Sequence, residues 1–469
     1  MTKGHELSFN APMMLQIQQG PLSLNSRRVG RRAALKVGFA GLLGLTTADW
    51  LRLQAEGGAS RRQKSVILLW LDGGPSQLET YDPKPDAPRE IRGPWGAIET
   101  NVSGIRISEA LPLQAKLADK MVFLRSVNHK NGDHFAAAHW MLTGRFGATS
   151  ENRAQQHPSV GSYVARLRGR NSTGMPPYVG LPSAESVYLF PGYQGAAYLG
   201  PAYNPFDVNT SQRYLGATEL GVRPPQCIAE LHGDDSRLRT RVDLLSQIDR
   251  FRRDLDQTGA IEAMDQYQQQ AMDFILGNRA RAAFEIEKED PRTRDRYGRT
   301  AWGHYTLMAR RLVEAGVSFV TVDMPHWDDH ADIENGHGRK LPIADKAIAA
   351  LIRDLADRSM LNDVLVVVMG EFGRTPRLNQ GLPGNSIPGR DHWGDAFSVM
   401  LAGGGLRGGQ FVGATNSKGE YPVERALRPG DVLATVYHVL GIDPRQTFTD
   451  NSGRPHPILD SGEPIREII

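Results

Sequence analysis

The sequence predicts an α/β fold in which a mainly parallel sheet is sandwiched between helices. Apolar segments of strand length recur along the chain, and each is almost continuously hydrophobic, which is typical of strands covered on both faces. Segments with apolar residues three and four positions apart lie between them and indicate helices. Strands that alternate with helices in this way favour a parallel sheet with helices on both sides.

Five segments have the strand pattern and four have the helical pattern. The predicted strands are 65–71, 121–127, 317–323, 364–369 and 398–402. The predicted helices are 159–168, 300–315, 343–358 and 430–440, several of which begin at a capping residue or end before a glycine. The stretch 234–289 is charged, rich in glutamine and without a strand pattern, so we expect a helical insertion there.

Composition limits the classes of protein to which the chain can belong. Its 469 residues are 40% hydrophobic and 23% charged, so we expect a single globular domain over residues 61–469. The net charge of +3 is small, and much of the basic excess lies in the first 62 residues, so no nucleic-acid-binding surface is indicated. Cys227 is the only cysteine, which excludes an intramolecular disulfide and a thiolate metal cluster.

Residues 1–60 have the pattern of an export signal followed by a linker. Residues 31–36 read R-R-A-A-L-K, and residues 37–48 are uncharged, small and moderately apolar. This resembles a twin-arginine signal, and its apolar stretch is shorter than the roughly 20 residues needed to cross a membrane. We therefore expect a periplasmic or extracellular protein without a stable membrane anchor after cleavage. The alternative is an ordinary buried helix that follows basic residues.

Acidic residues and histidines recur where the predicted strands end. Asp72 follows the first strand, Asp328 and His330 follow the third, Glu371 follows the fourth, and His392 comes soon afterwards. In open parallel sheets, ligands bind beyond the carboxyl ends of the strands. Carboxylate oxygens and imidazole nitrogens are ligands for Zn, Mn, Mg or Ca ions. The sequence therefore predicts one shared site for a divalent metal at this edge of the sheet.

Each of these residues also has a simpler interpretation; Asp328 and His330, for example, could be solvated surface residues of a loop. Asp72 is followed by two glycines, so its role could be limited to forming a turn. Glu371 could form a structural ion pair with Arg374, and His392 could be a buried structural histidine. The recurrence of such residues at successive strand ends favours the metal site, and the glycines after Asp72 would let the backbone approach it closely.

Several longer motifs carry a family resemblance. They are DGGPSQLETYDPKPD, MLTGR, WDDH, GEFGRTPR, GRDHW and GGGLRGGQFVGAT. Over roughly residues 65–441 the chain resembles the alkaline phosphatase superfamily, especially its sulfatase branch. It is most similar to an exported bacterial family of unknown function that is assigned to that superfamily. The resemblance implies a mixed, mainly parallel sheet with a divalent metal centre at the carboxyl ends of the strands.

The resemblance also assigns metal ligands. Asp72 matches the aspartate of the first strand, and Asp328 and His330 match an Asp and a His of a later loop, although their spacing is shorter than usual. His392 matches a histidine further downstream. Glu371 stands where the superfamily has an aspartate, and the ligand that normally follows it is replaced by Phe372.

The largest departure from the superfamily concerns the nucleophile. Sulfatases carry a modified Cys or Ser at a helix N-terminus about ten residues before a T-G-R signature. This chain has Asp133 and His134 at that place. His134 could attack phosphorus, could bind the metal or could be an inert replacement, and a metal-activated water could attack instead. Arg374 is predicted to hold an ester oxygen, and Ser76 and Asp391 are predicted to contact the substrate.

Two functional hypotheses remain open. The chain could be an exported metal-dependent hydrolase of phosphate or sulfate esters, acting on small molecules or glycans. It could also be a non-catalytic protein that keeps the fold and the metal as a binding or scaffolding module. The missing nucleophile favours the second hypothesis. The many polar residues at one edge of the sheet favour the first, because a purely structural sheet does not need them.

Overall fold

The computed structural model describes residues 64–172, 174–184, 193–209, 212, 216–218 and 278–469. The predicted export signal, and residues 234–277 of the predicted insertion, lie outside the described residues. Residues Arg62–Ile469 form one compact unit. Within it, a mixed, mainly parallel sheet is flanked by helices, so the predicted α/β fold class is confirmed.

The described strands include every segment with the predicted strand pattern. They are β1 (Ser65–Trp70), β2 (Ala97–Glu99), β3 (Arg106–Ser108), β4 (Met121–Val127), β5 (Tyr178–Leu181), β6 (Phe206–Asp207), β7 (Phe319–Asp323), β8 (Val364–Met369), β9 (Gly373–Arg374), β10 (His392–Trp393), β11 (Phe397–Gly403), β12 (Gln410–Val412), β13 (Ala414–Thr415), β14 (Pro422–Glu424), β15 (Thr447–Thr449) and β16 (Pro455–Pro457).

Eight of these strands form the central sheet, in the order β12-β4-β11-β8-β1-β7-β5-β6. β1 lies at its centre and pairs in parallel with β7 and β8. β11 runs antiparallel to both β8 and β4, its neighbours on either side. Because β11 is reversed, the residues that precede it lie at the same edge of the sheet as the residues that follow β1, β4, β7 and β8.

Helices among the described residues cover both faces of this sheet. They are α1 (Arg89–Arg92), α2 (Pro112–Ala115), α3 (His134–Thr143), α4 (Val160–Arg168), α5 (Asn278–Phe284), α6 (Pro291–Tyr297), α7 (Ala301–Ala315), α8 (Ile333–Asp357) and α9 (Pro429–Leu440). α5 falls at the end of the predicted insertion and is followed by a short 3₁₀ turn at Ile286–Lys288.

The core has two layers because successive side chains of a strand point to opposite faces. On β1, Ile67 and Leu69 pack with residues of α7 and α8. Val66 and Leu68, on the other face, pack with residues of α3, α4 and α9. Burial of each such side chain contributes about 1.5–3 kcal/mol to stability. A strand that is buried on both faces is therefore almost continuously apolar.

The predicted helix boundaries hold except at the start of α8. The Ser159 and Thr300 hydroxyls accept N–H groups of the first turns of α4 and α7, so both residues cap their helices. α8 begins at Ile333 instead of residue 343, and Pro342 lies inside it. The predicted start was wrong because proline is common at the first position of a helix. Here the turns before Pro342 are held by tertiary contacts.

Candidate metal centre

Three acidic side chains lie buried at the carboxyl edge of the central strands. Asp72 follows β1, Asp323 is the last residue of β7, and Glu371 comes shortly after β8. Their exposed fractions are 0%, 2% and 0%. We call these three residues the carboxylate group. They lie on adjacent strands because β1 is flanked by β7 and β8.

The turn after Asp72 brings the backbone of two loops together. The Gly73 N–H donates to both oxygens of Glu371, at 2.9 and 3.2 Å, and the Trp327 N–H donates to the Asp72 carbonyl at 3.0 Å. Gly73 has a φ of +107°, and a Cβ there would lie 2.7 Å from the Asp328 nitrogen. Glycine is therefore required at this position both by conformation and by the closeness of the facing loop.

Asp323 was not among the predicted site residues. Neither of its carboxyl oxygens has a hydrogen-bond partner among the described residues. Burial, and then the charges of Asp72 and Glu371, raise its pKa well above the usual range. A buried carboxylate without a partner is costly, so a proton or a cation is needed there. The signal in the sequence was its position as the last residue of an apolar strand.

A second set of side chains lies around Asp328. Asp328 Oδ1 is 3.0 Å from Nε2 of both His330 and His392, and Oδ2 is 3.4 Å from His134 Nε2. The Nε2 atoms of His330 and His392 are 2.9 Å apart. His134, Asp328 and His392 each place one ligand atom within 4.8 Å of the others. We call these four residues the histidine group.

The histidine group has the donor set and spacing of a metal site. Two nitrogens bound at about 2.0–2.1 Å to a tetrahedral zinc ion lie about 3.3 Å apart, which is close to the separation of the His330 and His392 nitrogens. Two imidazole nitrogens at 2.9 Å need a proton or a cation between them. The predicted metal ligands therefore fall into two groups, with Asp328, His330 and His392 in one and Asp72 and Glu371 in the other.

Glu371 and His134 connect the two groups. His134 is the first residue of α3, and its Nδ1 lies 2.7 Å from Glu371 Oε1. The preceding residue, Asp133, caps α3 by accepting the Ala136 N–H at 2.9 Å. Burial acts to lower the pKa of His134, but the hydrogen bonds to Asp328 and Glu371 outweigh it and raise this pKa to about 9. His134 is therefore protonated at neutral pH when no metal is bound.

Contacts outside the histidine group orient its rings. His330 Nδ1 lies 2.8 Å from Asp391 Oδ1, and His392 Nδ1 donates to the Gly132 carbonyl at 2.7 Å. Such partners fix the tautomer and direct the opposite nitrogen, Nε2, towards a metal. Burial raises the pKa of Asp328, but hydrogen bonds from the three histidines and the charge of Arg374 lower it far below the usual range.

A family model described as "Protein of unknown function (DUF1501)" matches residues 63–469. The chain belongs to this family. No curated protein matches it.

Several solved structures are distantly similar to this member of the family. One is the lipoteichoic acid synthase LtaP from Listeria monocytogenes, with 12% identity, a TM-score of 0.37 and coverage of 81% of this chain and 73% of that one. The PsFucS1 sulfatase from Pseudoalteromonas sp. has 12% identity, a TM-score of 0.37 and coverage of 88% and 72%. The periplasmic domain of EcEptC from Escherichia coli, in complex with Zn, has 10% identity, a TM-score of 0.35 and coverage of 87% and 93%. Structural similarity this weak does not show the activity, which has to be argued from the site itself.

Arg374 contacts protein groups with all three of its nitrogens in this DUF1501 protein. Nε donates to the Gly74 carbonyl at 2.8 Å, and Nη2 donates to Asp328 Oδ1 at 2.6 Å and to the Gly73 carbonyl. Nη1 donates to the Arg390 carbonyl at 3.3 Å. The guanidinium group is fully buried and joins the Gly73–Gly74 turn to Asp328.

The two residues predicted to contact substrate differ in exposure. Ser76 is fully buried, and its N–H donates to His337 Nε2 at 3.1 Å. The side chain of Asp391 is about half exposed beside His330.

Among the described residues, no helix is both long enough and apolar enough to cross a membrane.

Proposed function

We propose that this protein is an exported, metal-dependent hydrolase of phosphate or sulfate esters and a member of the alkaline phosphatase superfamily. The observation that carries the proposal is the histidine group, in which three imidazoles surround one carboxylate, beside a buried carboxylate group whose member Asp323 has no hydrogen-bond partner among the described residues. The motif resemblance supports the superfamily and the ester chemistry.

The donor sets suit two kinds of cation. The nitrogen and oxygen atoms of Asp328, His330 and His392 suit Zn²⁺ or Mn²⁺, whereas the oxygens of Asp72, Asp323 and Glu371 suit Ca²⁺ or Mg²⁺. Such an ion, when bound, supplies Lewis-acid polarisation of an oxygen of the phosphoryl or sulfuryl group.

His134 is the proposed proton donor. Hydrolysis adds the oxygen of water to phosphorus or sulfur and breaks the bond to the ester oxygen, which leaves with a proton. His134 can supply this proton from Nε2, because Glu371 holds its Nδ1 at 2.7 Å and leaves Nε2 directed towards Asp328. Its place at the start of α3 adds the partial positive charge of a helix N-terminus.

Arg374 is proposed to act on the substrate only through other groups. Its donors already engage protein oxygens, so its role in the reaction is to hold Asp328 against the turn that follows Asp72. Ser76 and Asp391 remain proposed substrate contacts, and Asp391 is the more accessible of the two.

A non-catalytic metal-binding protein is the second candidate. Two observations favour it: the first turn of α3 begins His134-Phe135-Ala136 and offers no hydroxyl or thiol nucleophile, and the Arg374 guanidinium contacts protein oxygens at each nitrogen. Such a protein would bind the ion and a phosphorylated or sulfated ligand without turnover.

Elemental analysis and turnover assays on the exported protein test the proposal. We expect about stoichiometric metal and hydrolysis of aryl phosphates or aryl sulfates in the wild type, with both lost in Asp328→Ala. Asp460→Ala is the control, because Asp460 is a partly exposed acid that pairs with Arg145 away from the metal centre. Bound metal without turnover of any ester would establish the non-catalytic candidate, and absence of metal would overturn both.

The export proposal is tested separately. A reporter protein fused to residues 1–60 is expected to reach the periplasm, and replacing Arg31 and Arg32 with lysine is expected to retain it in the cytoplasm. Unchanged export of that variant would exclude the twin-arginine route.

A further inference from the structure

His337 lies buried between two segments of the metal centre without belonging to either ligand group. It is on α8 and is completely buried. Its Nδ1 lies 2.6 Å from Asp329 Oδ2, and its Nε2 accepts the Ser76 N–H at 3.1 Å. Asp329 stands between the ligands Asp328 and His330, and Ser76 ends the turn that follows Asp72. One imidazole thus joins the loops that carry the two groups.

Lys340 adds a second connection to the same loop. Its Nζ lies 2.6 Å from Asp329 Oδ2 and also donates to the His326 carbonyl. His326 has a φ of +76°, a left-handed conformation that non-glycine residues adopt only when their surroundings enforce it. Lys340 is 7% exposed, and its Nζ also lies 5.4 Å from the centre of the Trp327 ring.

The helix and the loop approach each other too closely for other side chains. A Cβ at Gly336 would lie 2.4 Å from the Asp329 carboxyl carbon. Both His337 and Lys340 lie in the part of α8 that precedes Pro342, the part that the sequence pattern did not predict. Contacts with the Asp329 loop therefore stabilise these turns, although helices often start at a proline.

We propose that Asp329, His337 and Lys340 form a buried strut that sets the distance between the turn after Asp72 and the Asp328–His330 loop, and thereby positions the metal ligands. His337 is a positioning residue, since it reaches the centre only through Asp329 and the backbone of Ser76. This inference rests on the proposed metal centre, which it extends beyond the ligands.

The test compares His337→Ala with Asp345→Ala in the full-length protein. Both residues are buried on α8, and Asp345 also connects the helix to another segment, because it accepts the N–H groups of Leu113 and Gln114. Both variants should lower the melting temperature. Only His337→Ala should raise the Kd for Zn²⁺ in isothermal titration calorimetry, by about tenfold, which is the lower end of the range for direct outer partners of a ligand, because His337 acts through Asp329 and the Ser76 backbone.

His337→Gln is the conservative variant and guards against a failure to fold. Its amide offers one donor towards Asp329 and one acceptor towards Ser76, so its Kd for Zn²⁺ should fall between those of the wild type and His337→Ala. A wild-type Kd in His337→Ala would overturn the strut.

Hydrogen exchange distinguishes failure of the strut from failure of the proposed function. In the metal-free protein, amides of residues 73–78 should exchange at least about tenfold faster in His337→Ala than in Asp345→Ala, because only the former loses the Ser76 bond. Equal exchange in the two variants would overturn the strut. If the wild type binds no Zn²⁺, the proposed metal centre fails and this comparison alone decides the strut.

Discussion

At the scale of single residues, the proposed metal centre should depend on groups that contact the proposed ligands from outside. Asp391 illustrates this, since its carboxylate faces His330 Nδ1 while His330 Nε2 faces Asp328. The sequence predicted that Asp391 contacts the substrate, and this stays a prediction; it could not show the contact with His330, because adjacency to His392 does not reveal which ring the side chain will meet.

Asp391→Ala should weaken Zn²⁺ binding by about 10–100-fold, because His330 loses the partner that fixes its tautomer. The melting temperature of the metal-free protein should hardly change, because about half of this side chain is exposed. Calorimetric titration and a thermal melt measure the two effects. A Kd equal to that of the Asp460→Ala control would contradict the orienting role.

A buried histidine outside the centre should make stability fall in acid. His139 Nδ1 donates to the Arg145 carbonyl and its Nε2 accepts the Gln156 N–H, so only the neutral ring fits. Burial lowers its pKa to about 4, despite the bond to Arg145. Because this pKa is depressed below the unfolded value, stability is full above about pH 6.5 and is lost as the pH falls towards 4.

The loss from His139 amounts to roughly 3 kcal/mol over that range. Urea denaturation at pH 7 and at pH 4 measures it, and His139→Gln should show a smaller difference between the two pH values than the wild type. If both proteins lose the same stability, the acid sensitivity originates elsewhere.

At the scale of elements, substitutions in the turn after β1 test how closely this turn must approach the loop that contains Trp327 and Asp328. Gly73→Ala should destabilise the protein by more than about 3 kcal/mol, because a left-handed alanine costs about 1–2 kcal/mol and its Cβ would also overlap the backbone of Trp327 and Asp328. Chemical denaturation gives the value.

Gly104→Ala is the matched control for this prediction. Gly104 has a φ of +80°, but a Cβ there would meet no atom within 4 Å. Its substitution should cost only the conformational part, about 1–2 kcal/mol. Similar losses in the two variants would show that the closeness of the facing loop does not matter.

The same scale shows what the sequence could predict. The central strands and α7 were predictable because their burial on one or both faces leaves a regular apolar pattern. The short strands β5, β6 and β12 have too few residues for a pattern to emerge. The start of α8 was missed because Asp329 and His326 hold its first turns, and these contacts lie across a loop.

At the scale of the whole molecule, metal binding should contribute to global stability. An ion at a hundred times its Kd stabilises the folded state by about 2.7 kcal/mol. For roughly 400 residues, this corresponds to a rise of about 3 °C in melting temperature. Scanning calorimetry with Zn²⁺ and with a chelator measures the shift, which should vanish in Asp328→Ala. An equal shift in that variant would place the ion outside the histidine group.

The sequence could predict that the site residues would lie at one edge of the sheet, but it could not predict that they would form a carboxylate group and a histidine group. The rule that ligands bind at the carboxyl edge of a parallel sheet predicted that Asp328, His330 and His392 would lie close together, as they do in the structure. It could not separate them from Asp72 and Glu371, because that separation depends on which side chains face one another. The rule also missed Asp323, because this residue is the last one of β7 and does not follow the strand.

The reversed direction of β11 has a consequence for the loop that connects Glu371 to His392. Glu371 leaves the sheet edge after β8, and His392 returns to that edge just before β11. The chain from 375 to 391 therefore departs from and comes back to one place, and its length can vary at little entropic expense. Changes of length in its exposed part, residues 382–388, would leave the buried Arg390 and the contact between Asp391 and His330 in place.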